Sequence, residues 1–233
     1  MSNYFQDPNC KDCLGVEKGF FKNLNPDELE FLNNKKSCSS YQKGAVLYRE
    51  NQRINGVFCI NSGVVKVFKT GVSGKEQIIK FLKSGDIFGY RSIMNGEPAC
   101  TSAKVHIDAS ICYIPSSDFF TLLRKNNDLA IELLQLACTE LGEANKFITD
   151  MAQKTVKERL AEILLFLKEE YGIDDEEMLS INLTREELAN LIGTATESVI
   201  RLLSEFKSEG FLELKARKIR ILDEANLKKI ANL

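Results

Sequence analysis

Histidine is nearly absent from this chain: His106 is the single one among 233 residues. That inventory excludes a nitrogen-rich metal cluster and a histidine-based catalytic triad, and a lone histidine is more simply a structural side chain. Proline is scarce, with four residues against 14 glycines, which excludes a collagenous or proline-rich linker protein. Long apolar runs are missing too. Ile163–Leu167 is far shorter than the roughly 20 residues a bilayer-spanning helix needs. The opening residues Met1-Ser-Asn-Tyr-Phe-Gln-Asp-Pro8 have neither the basic flank nor the apolar core of a signal peptide, so a cytoplasmic chain with no membrane partner is expected. Nor is there an excess of basic charge. The net charge is −2, and from Lys154 onward 13 Lys/Arg face 16 Asp/Glu. Any basic footprint for nucleic acid must therefore be local.

What is present is a foldable core. The apolar fraction of 44% excludes wholesale disorder, and the length suits one large or two ordinary domains. From Gly44 to about Ile114 the pattern alternates, as in Val46 and Tyr48, Val57 and Cys59, Val65 and Val67, and Ile111 and Tyr113. Turn signals at Asn61-Ser-Gly63, Gly71–Gly74, Ser84–Asp86 and Asn95-Gly96 separate these runs, so an antiparallel sandwich or barrel is expected. Pro26, followed by Asp27 and Glu28, starts a short helix before it. From Asp128 to Thr149 a long helix carries Ile131, Leu134, Cys138, Leu141, Asn145 and Ile148 at coiled-coil spacing. That stripe is a candidate dimer seam, and Asn145 is the kind of polar seam residue that fixes register. A second face, with Leu133, Leu136, Ala137, Ala144, Phe147 and Met151, is free to pack elsewhere. The chain is thus α+β, divided as an N-terminal cysteine-containing segment (1–22), a sensor domain (23–127), a dimerisation helix (128–152) and a C-terminal domain (153–233).

The most informative segment runs from Leu183 to Leu203. Thr184 with Glu187 makes a capping box, Ala189 is small where two helices must approach, and Gly193 suits a left-handed helix end. Thr194 with Glu197 repeats the box spacing, so a second helix is expected with Val199, Leu202, Leu203 and Phe206 inward. A short turn between two such helices is the geometry that presents the second to a major groove. Beyond it, Phe211–Leu214 and Ile219–Leu222 flank Lys215-Ala-Arg217-Lys218, a hairpin with a basic tip suited to phosphate contacts. The pattern is a winged helix-turn-helix. The acidic stretch Asp174–Glu177 reads as a solvated loop.

With this helix-turn-helix and the Gly85-Asp-Ile-Phe-Gly89 turn, the chain resembles the Crp/Fnr transcription regulators from Leu24 to its C-terminus. The resemblance implies a jelly-roll β-barrel of the cyclic-nucleotide-binding type, a dimerisation helix, and a homodimer on a palindromic double-stranded operator. RNA polymerase is a further partner if the protein is an activator. In the family a Glu and an Arg four residues apart read bases, which maps onto Glu197 and Arg201; Arg suits guanine and Glu the cytosine amino group. Thr196 and Ser198 share that exposed end, and Thr184, Arg185 and Thr194 lie at the motif's edges. Cyclic-AMP-responsive members carry Arg where Thr196 stands, which points toward an Fnr-type operator.

The effector is less legible. By the same resemblance its pocket would be lined by Gly89, Tyr90, Arg91, Cys100, Thr101 and Ser102. Cyclic-AMP binders need a Glu after the equivalent of Gly89 and an Arg some ten residues later. Here Tyr90 and Ala99-Cys-Thr-Ser-Ala103 stand there, and an unpaired cyclic phosphate would lose roughly 3 kcal/mol or more. The expected effector is therefore not cyclic AMP. Thiolate chemistry is the alternative switch. Cys10 and Cys13 form a C-x-x-C, and Cys112 matches the distant iron–sulfur ligand of Fnr-type members. The third N-terminal thiol that a cubane cluster wants is missing, since Leu14 to Lys22 contains none, and Cys38 is a remote substitute. An iron–sulfur cluster, a Cys10/Cys13 redox pair, and no cysteine function all remain open; no cofactor is required for DNA binding itself. Cys59, Cys100 and Cys138 read as small buried hydrophobes, and disulfides are not expected from an odd set of seven cysteines without an export signal. Two other classes compete. A catalytic cupin fails for want of histidines, and a non-DNA-binding nucleotide-type interaction module is opposed by the missing Arg and the wing.

Overall fold

A computed structural model describes residues 8–233, in two compact units divided at residues 139 and 140. In the first unit, a 3-10 turn at Cys10–Asp12 leads into α1 (Leu14–Lys18) and α2 (Pro26–Lys35). α2 starts where its cap dictates. Asn25 accepts from the Glu28 N–H at 2.9 Å, and the Glu28 carboxylate accepts from the Asn25 N–H at 3.0 Å. Pro26 at the first helical position has no N–H to satisfy.

Six strands follow: β1 (Ser37–Tyr41), β2 (Val46–Tyr48), β3 (Gly56–Thr70), β4 (Glu76–Leu82), β5 (Ile87–Phe88) and, after α3 (Tyr90–Asn95), β6 (Ser102–Pro115). They form one antiparallel sheet in the order β1-β6-β3-β4, with β2 also on β6 and β5 on β3. The sheet is jelly-roll-like, in keeping with the antiparallel sandwich or barrel that the turn spacing suggests, and among the described residues β1 and β4 do not pair to close it. The Asn61-Ser-Gly63 signal differs from its expected role. β3 runs straight through it, with register shifts between Ile60 and Val65 and Gly63 at φ +90°. The glycine marks a bulge, because a Cβ there would meet the Asp108 carbonyl at 2.3 Å.

One core cluster of this unit, with Ile60, Val65, Leu82, Val105 and Ile111, lies inside the folded sheet. A second, with Phe21, Leu32, Phe119, Leu122, Leu129 and Leu133, joins the N-terminal helices to α4 (Ser116–Lys125) and the first turns of α5 (Asn127–Gln153). α1 seats closely on the sheet through glycines. A Cβ on Gly15 would lie 2.7 Å from the Ile60 carbonyl, and one on Gly19 would lie 2.3 Å from that of Gly85.

The second unit holds the rest of α5, then α6 (Val156–Tyr171), α7 (Arg185–Ile192), α8 (Thr196–Ser208), the hairpin β7 (Leu212–Lys215) and β8 (Lys218–Ile221), and α9 (Glu224–Ala231). Thr155 and Glu158 box the start of α6, whose Leu160 and Leu164 are fully buried. Leu188 of α7 and Val199, Leu203 and Phe206 of α8 are likewise at most 1% exposed, and each such side chain contributes about 1.5–3 kcal/mol of burial. Among the described residues no helix is long and apolar enough to cross a membrane.

Candidate nucleic-acid interface and cysteine cluster

The helix-turn-helix is built by short-range contacts. The Thr184 hydroxyl accepts from the Glu187 N–H at 3.0 Å, and the Glu187 carboxylate accepts from the Thr184 N–H at 2.9 Å. Gly193 ends α7 in the left-handed region (φ 66°, ψ 52°), and the Ala189 carbonyl receives its N–H and that of Thr194. The second capping box does not form. Ala195, extended at φ −78° and ψ 148°, is the N-cap of α8, which places Glu197 one residue before the position a box requires. Glu197 therefore stands exposed in the first turn with no side-chain partner among the described residues, where the helix dipole favours a carboxylate.

Val199, Leu202, Leu203 and Phe206 are buried beneath α8, as their spacing predicts. One turn after Glu197, the Arg201 side chain is 73% exposed, and its nearest acid, Glu205, is 3.9 Å away. Thr196 and Ser198, both half-buried, complete the first turn. Two other candidates have structural duties. Thr184 caps α7, and Arg185 donates to the carbonyls of Ala216 (3.0 Å) and Arg217 (3.3 Å), tying α7 to the hairpin tip. Sequence reasoning missed Arg159, which donates to the carbonyls of Ile192 (3.0 Å) and Lys154 (2.6 Å) and so fixes α7 against α6.

The hairpin is a wing with a mixed tip. Lys218 donates to Asp174 at 2.8 Å, and Lys215 lies 3.9 Å from Glu176. The Lys218 hydrogen bond holds the Asp174 carboxyl below the usual carboxylate range, and the same bond holds the Lys218 ammonium above its own. Arg220 also donates to the Glu176 carbonyl. The acidic stretch is thus not a merely solvated loop, because it packs on the wing and partly neutralises it. Arg217 and Lys215 are both exposed at the tip, and Arg217 has no side-chain partner among the described residues. Along α5, Ile131, Leu134, Leu141 and Ile148 are 54%, 64%, 62% and 65% exposed, and Cys138 and Asn145 are exposed between them. On the other face Leu133 is buried and Leu136 packs on the first unit's core, whereas Ala137, Ala144 and Phe147 are exposed.

The six effector candidates are dispersed by burial. Gly89 precedes α3 at φ +85°, Tyr90 is buried in the core, and Arg91 and Cys100 are exposed. Thr101 is half-buried, and the Ser102 hydroxyl accepts from the Glu50 N–H at 2.9 Å. None of the six lines the small cavity bounded by Leu167, Ile181 and Ile219 or the one bounded by cysteines.

That second cavity is lined by Cys10, Cys13, Cys59 and Cys112, with Lys36 and Asn61 beside them. The register explains the convergence. Cys112 of β6 lies directly opposite Cys38 of β1 on one side and Cys59 of β3 on the other. Cys38 and Cys112 form a disulfide, with Cα atoms 3.9 Å apart, which corrects the expectation that this chain has none. Two cysteines 74 residues apart in sequence gave no sign of this pairing, since Ser37–Tyr41 does not read as a strand. Cys59 is buried as expected, whereas Cys100 and Cys138 are exposed. Burial pushes the Cys10 thiol up to about 11 and the Cys59 thiol far above its ordinary value, so both are protonated at neutral pH. Cys13 donates to the Asn61 side-chain oxygen at 3.0 Å. Among the described residues no three potential ligands converge at coordinating distance as they stand.

An Fnr-type iron–sulfur cluster on Cys10, Cys13 and Cys112 does not fit these residues. The Cys112 sulfur is bonded to Cys38, the remaining thiol comes from β3 and not the N-terminal segment, and the cavity measures only about 10 Å³.

Comparison with known proteins bears on both units. Residues 38–126 match the cyclic nucleotide-binding domain family, and residues 158–230 match the Crp-like helix-turn-helix domain. The chain is 27% identical over 222 residues to the transcriptional activator protein FnrA of Stutzerimonas stutzeri, covering 94% of this chain and 91% of that protein. It is 27% identical over 227 residues to the fumarate and nitrate reduction regulatory protein of Escherichia coli, covering 96% and 90%. Among solved structures, FixK2 from Bradyrhizobium japonicum matches with a TM-score of 0.75 at 26% identity, over 84% of this chain and 96% of that one.

Proposed function

Because the chain belongs to the Crp/Fnr family of DNA-binding transcriptional regulators, we propose that it acts in the cytoplasm as a homodimer on a palindromic operator. In this reading α8 enters the major groove of each half-site, with Arg201 on guanine and Glu197 on cytosine. Arg217 at the wing tip, with Thr196 and Ser198 at the start of α8, holds phosphates. The observation that carries the reading is the pair Glu197 and Arg201, exposed one turn apart on a helix whose opposite face is buried. The exposed apolar stripe from Ile131 to Ile148 supports the dimer, since a second copy of the same stripe would cover it at coiled-coil spacing. RNA polymerase is a partner if the regulator activates. Its effector is not cyclic AMP: Tyr90 fills the core where a ribose-binding Glu would be needed, and the Ser102 hydroxyl is already hydrogen-bonded to the backbone.

The test selects an operator from random duplexes and then measures two variants on operator and on random DNA. Arg201→Ala is expected to weaken operator binding by about 10–100-fold per half-site and to leave random DNA nearly unchanged. Arg217→Ala is expected to weaken both alike and to lower the salt slope by about one per protomer. Equal losses on both DNAs for Arg201→Ala would remove the base-reading assignment.

A further inference from the structure

The wing carries four cations, Lys215, Arg217, Lys218 and Arg220, and three of them face acids of the chain itself. Lys218 donates to the Asp174 carboxylate at 2.8 Å and lies 4.0 Å from Glu176. Lys215 is 3.9 Å from Glu176 and 4.0 Å from Glu213. Arg220 is 3.1 Å from Glu213 and 3.8 Å from Glu177. The acids of the loop are held in place by backbone contacts and not by charge alone. One Asp174 carboxylate oxygen accepts the N–H groups of Glu176 and Met178, both at 3.0 Å, which leaves the other for Lys218. The Asp174 N–H donates to the Met178 carbonyl at 2.8 Å, and the Leu179 N–H donates to the Ile219 carbonyl of β8 at 2.8 Å. Met178 and Leu179 are buried, so the loop is fastened to the wing strand. From the other side, Arg185 of α7 holds the tip by the Ala216 and Arg217 carbonyls.

An exposed ion pair of this kind adds little to stability. Its consequence is for a third charge. A phosphate that reaches Lys218 has to displace Asp174 from the ammonium or stand beside its carboxylate. A lysine held by its own acid neutralises no phosphate and releases no counterion from the duplex. We propose that Asp174 and Glu176 act as an internal stand-in for DNA phosphate, holding Lys218 and Lys215 out of contact, so that the wing binds DNA through Arg217. Given the DNA-binding reading above, on which this rests, the acids govern the strength of binding and not the choice of bases. Phosphate contacts carry no sequence information, so the restraint falls equally on operator and on random DNA. It lowers the charge-driven affinity that would otherwise hold the chain on DNA of any sequence.

The test titrates the full chain on a selected operator and on a random-sequence duplex over a range of salt. Asp174→Asn keeps an oxygen for the Glu176 and Met178 N–H groups and removes the charge, and Glu176→Gln alters no backbone bond of the loop. The double variant Asp174→Asn/Glu176→Gln is expected to bind both DNAs at least about fivefold more tightly, with a salt slope steeper by about two per protomer. The operator-to-random ratio should stay at its wild-type value. Lys218→Gln should cost at least about threefold more affinity in the Asp174→Asn background than in the wild type, a coupling that a general change of net charge would not produce. Unchanged affinity and slope in the folded double variant, or equal costs of Lys218→Gln in the two backgrounds, would overturn this role for the acids. If Asp174→Asn loses the wild-type circular dichroism spectrum, Glu176→Gln alone decides, with a slope steeper by about one per protomer expected and an unchanged slope overturning the role. Failure of both the wild type and the double variant to bind any duplex would instead remove the DNA-binding reading itself.

Discussion

The helix-turn-helix is assembled from residues 184–208, with its caps and its turn fixed by neighbours a few positions away, whereas the cysteine cluster draws on segments from Cys10 to Cys112. The two also differ in what they expose. α8 keeps Glu197 and Arg201 in solvent over a fully buried face, so its chemistry is available before any partner arrives. Cys10, Cys13, Cys59 and Cys112 are each at most 9% exposed, so their chemistry depends on what the surrounding fold admits. A helix that reads DNA has to be rigid and accessible; thiols packed in a core are shielded. The contrast teaches that the same chain uses short-range contacts where it must present groups and long-range register where it must gather them.

The largest expected effect tests whether the short-range element depends only on its own core. Phe206 is fully buried under α8, with its ring 6.2 Å from that of Phe211. Phe206→Ala should destabilise the second unit by about 3–5 kcal/mol, read as an earlier urea transition by circular dichroism. The rate at which native, reduced protein reacts with thiol reagents at Cys59 should stay at the wild-type value. A parallel rise in that rate would break the comparison, because the cysteines would then depend on the reading unit's core.

A smaller effect probes the gathered element. A methyl group at Gly19 would lie 2.3 Å from the Gly85 carbonyl and 2.2 Å from that of Gly15, backbone atoms that cannot move aside alone. Gly19→Ala should therefore lift the N-terminal segment at a cost of about 1–3 kcal/mol. Alkylation of Cys10 and Cys13 in the reduced full chain should speed up by at least severalfold, with operator affinity under reductant unchanged. Labelling at the wild-type rate would mean that something other than the glycine seat holds the C-x-x-C over Cys59.

The same contrast explains which features could be read from the residues. The caps at Asn25 and Thr184, the left-handed Gly193 and the buried face of α8 are encoded within a few positions of where they act, and each appears as its spacing predicts. Ala195 marks the limit of such reading: Thr194 and Glu197 have the right spacing, yet the helix starts one residue later than a box needs. The bulge at Gly63 and the pairing of Cys38 with Cys112 were illegible for a different reason. Both are set by what lies opposite on β6, and register between distant strands leaves no mark in a local window. The partial neutralisation of the wing by Asp174 and Glu176 escaped in the same way, because a run of acids reads as solvated until its partners are known.

The smallest expected effect separates the two regions by their response to pH. Glu224, at the start of α9, lies 2.7 Å from Lys168 of α6 and 2.7 Å from Lys228 one turn on. The hydrogen bonds to Lys168 and then Lys228 hold its carboxyl down at about 2, against an ordinary value of 4.5. A carboxyl whose folded value is depressed contributes stability above its unfolded value and loses it as pH falls toward the folded one. The window is therefore from about 4.5 down to about 2. Both side chains of the Glu224–Lys168 pair are about a third exposed or more, at 40% and 34%, so solvent screening limits the contribution to less than about 1 kcal/mol. Glu224→Gln should accordingly unfold slightly earlier than the wild type in urea at pH 7 and low salt. The gap should narrow at high salt and close as the pH approaches 2, where the wild-type carboxyl is itself protonated. A difference that persists unchanged across this range would assign the role of Glu224 to neutral packing and hydrogen bonding. The ionic pinning of α9 to α6 would then no longer distinguish the exposed chemistry of this unit from the shielded thiols of the other.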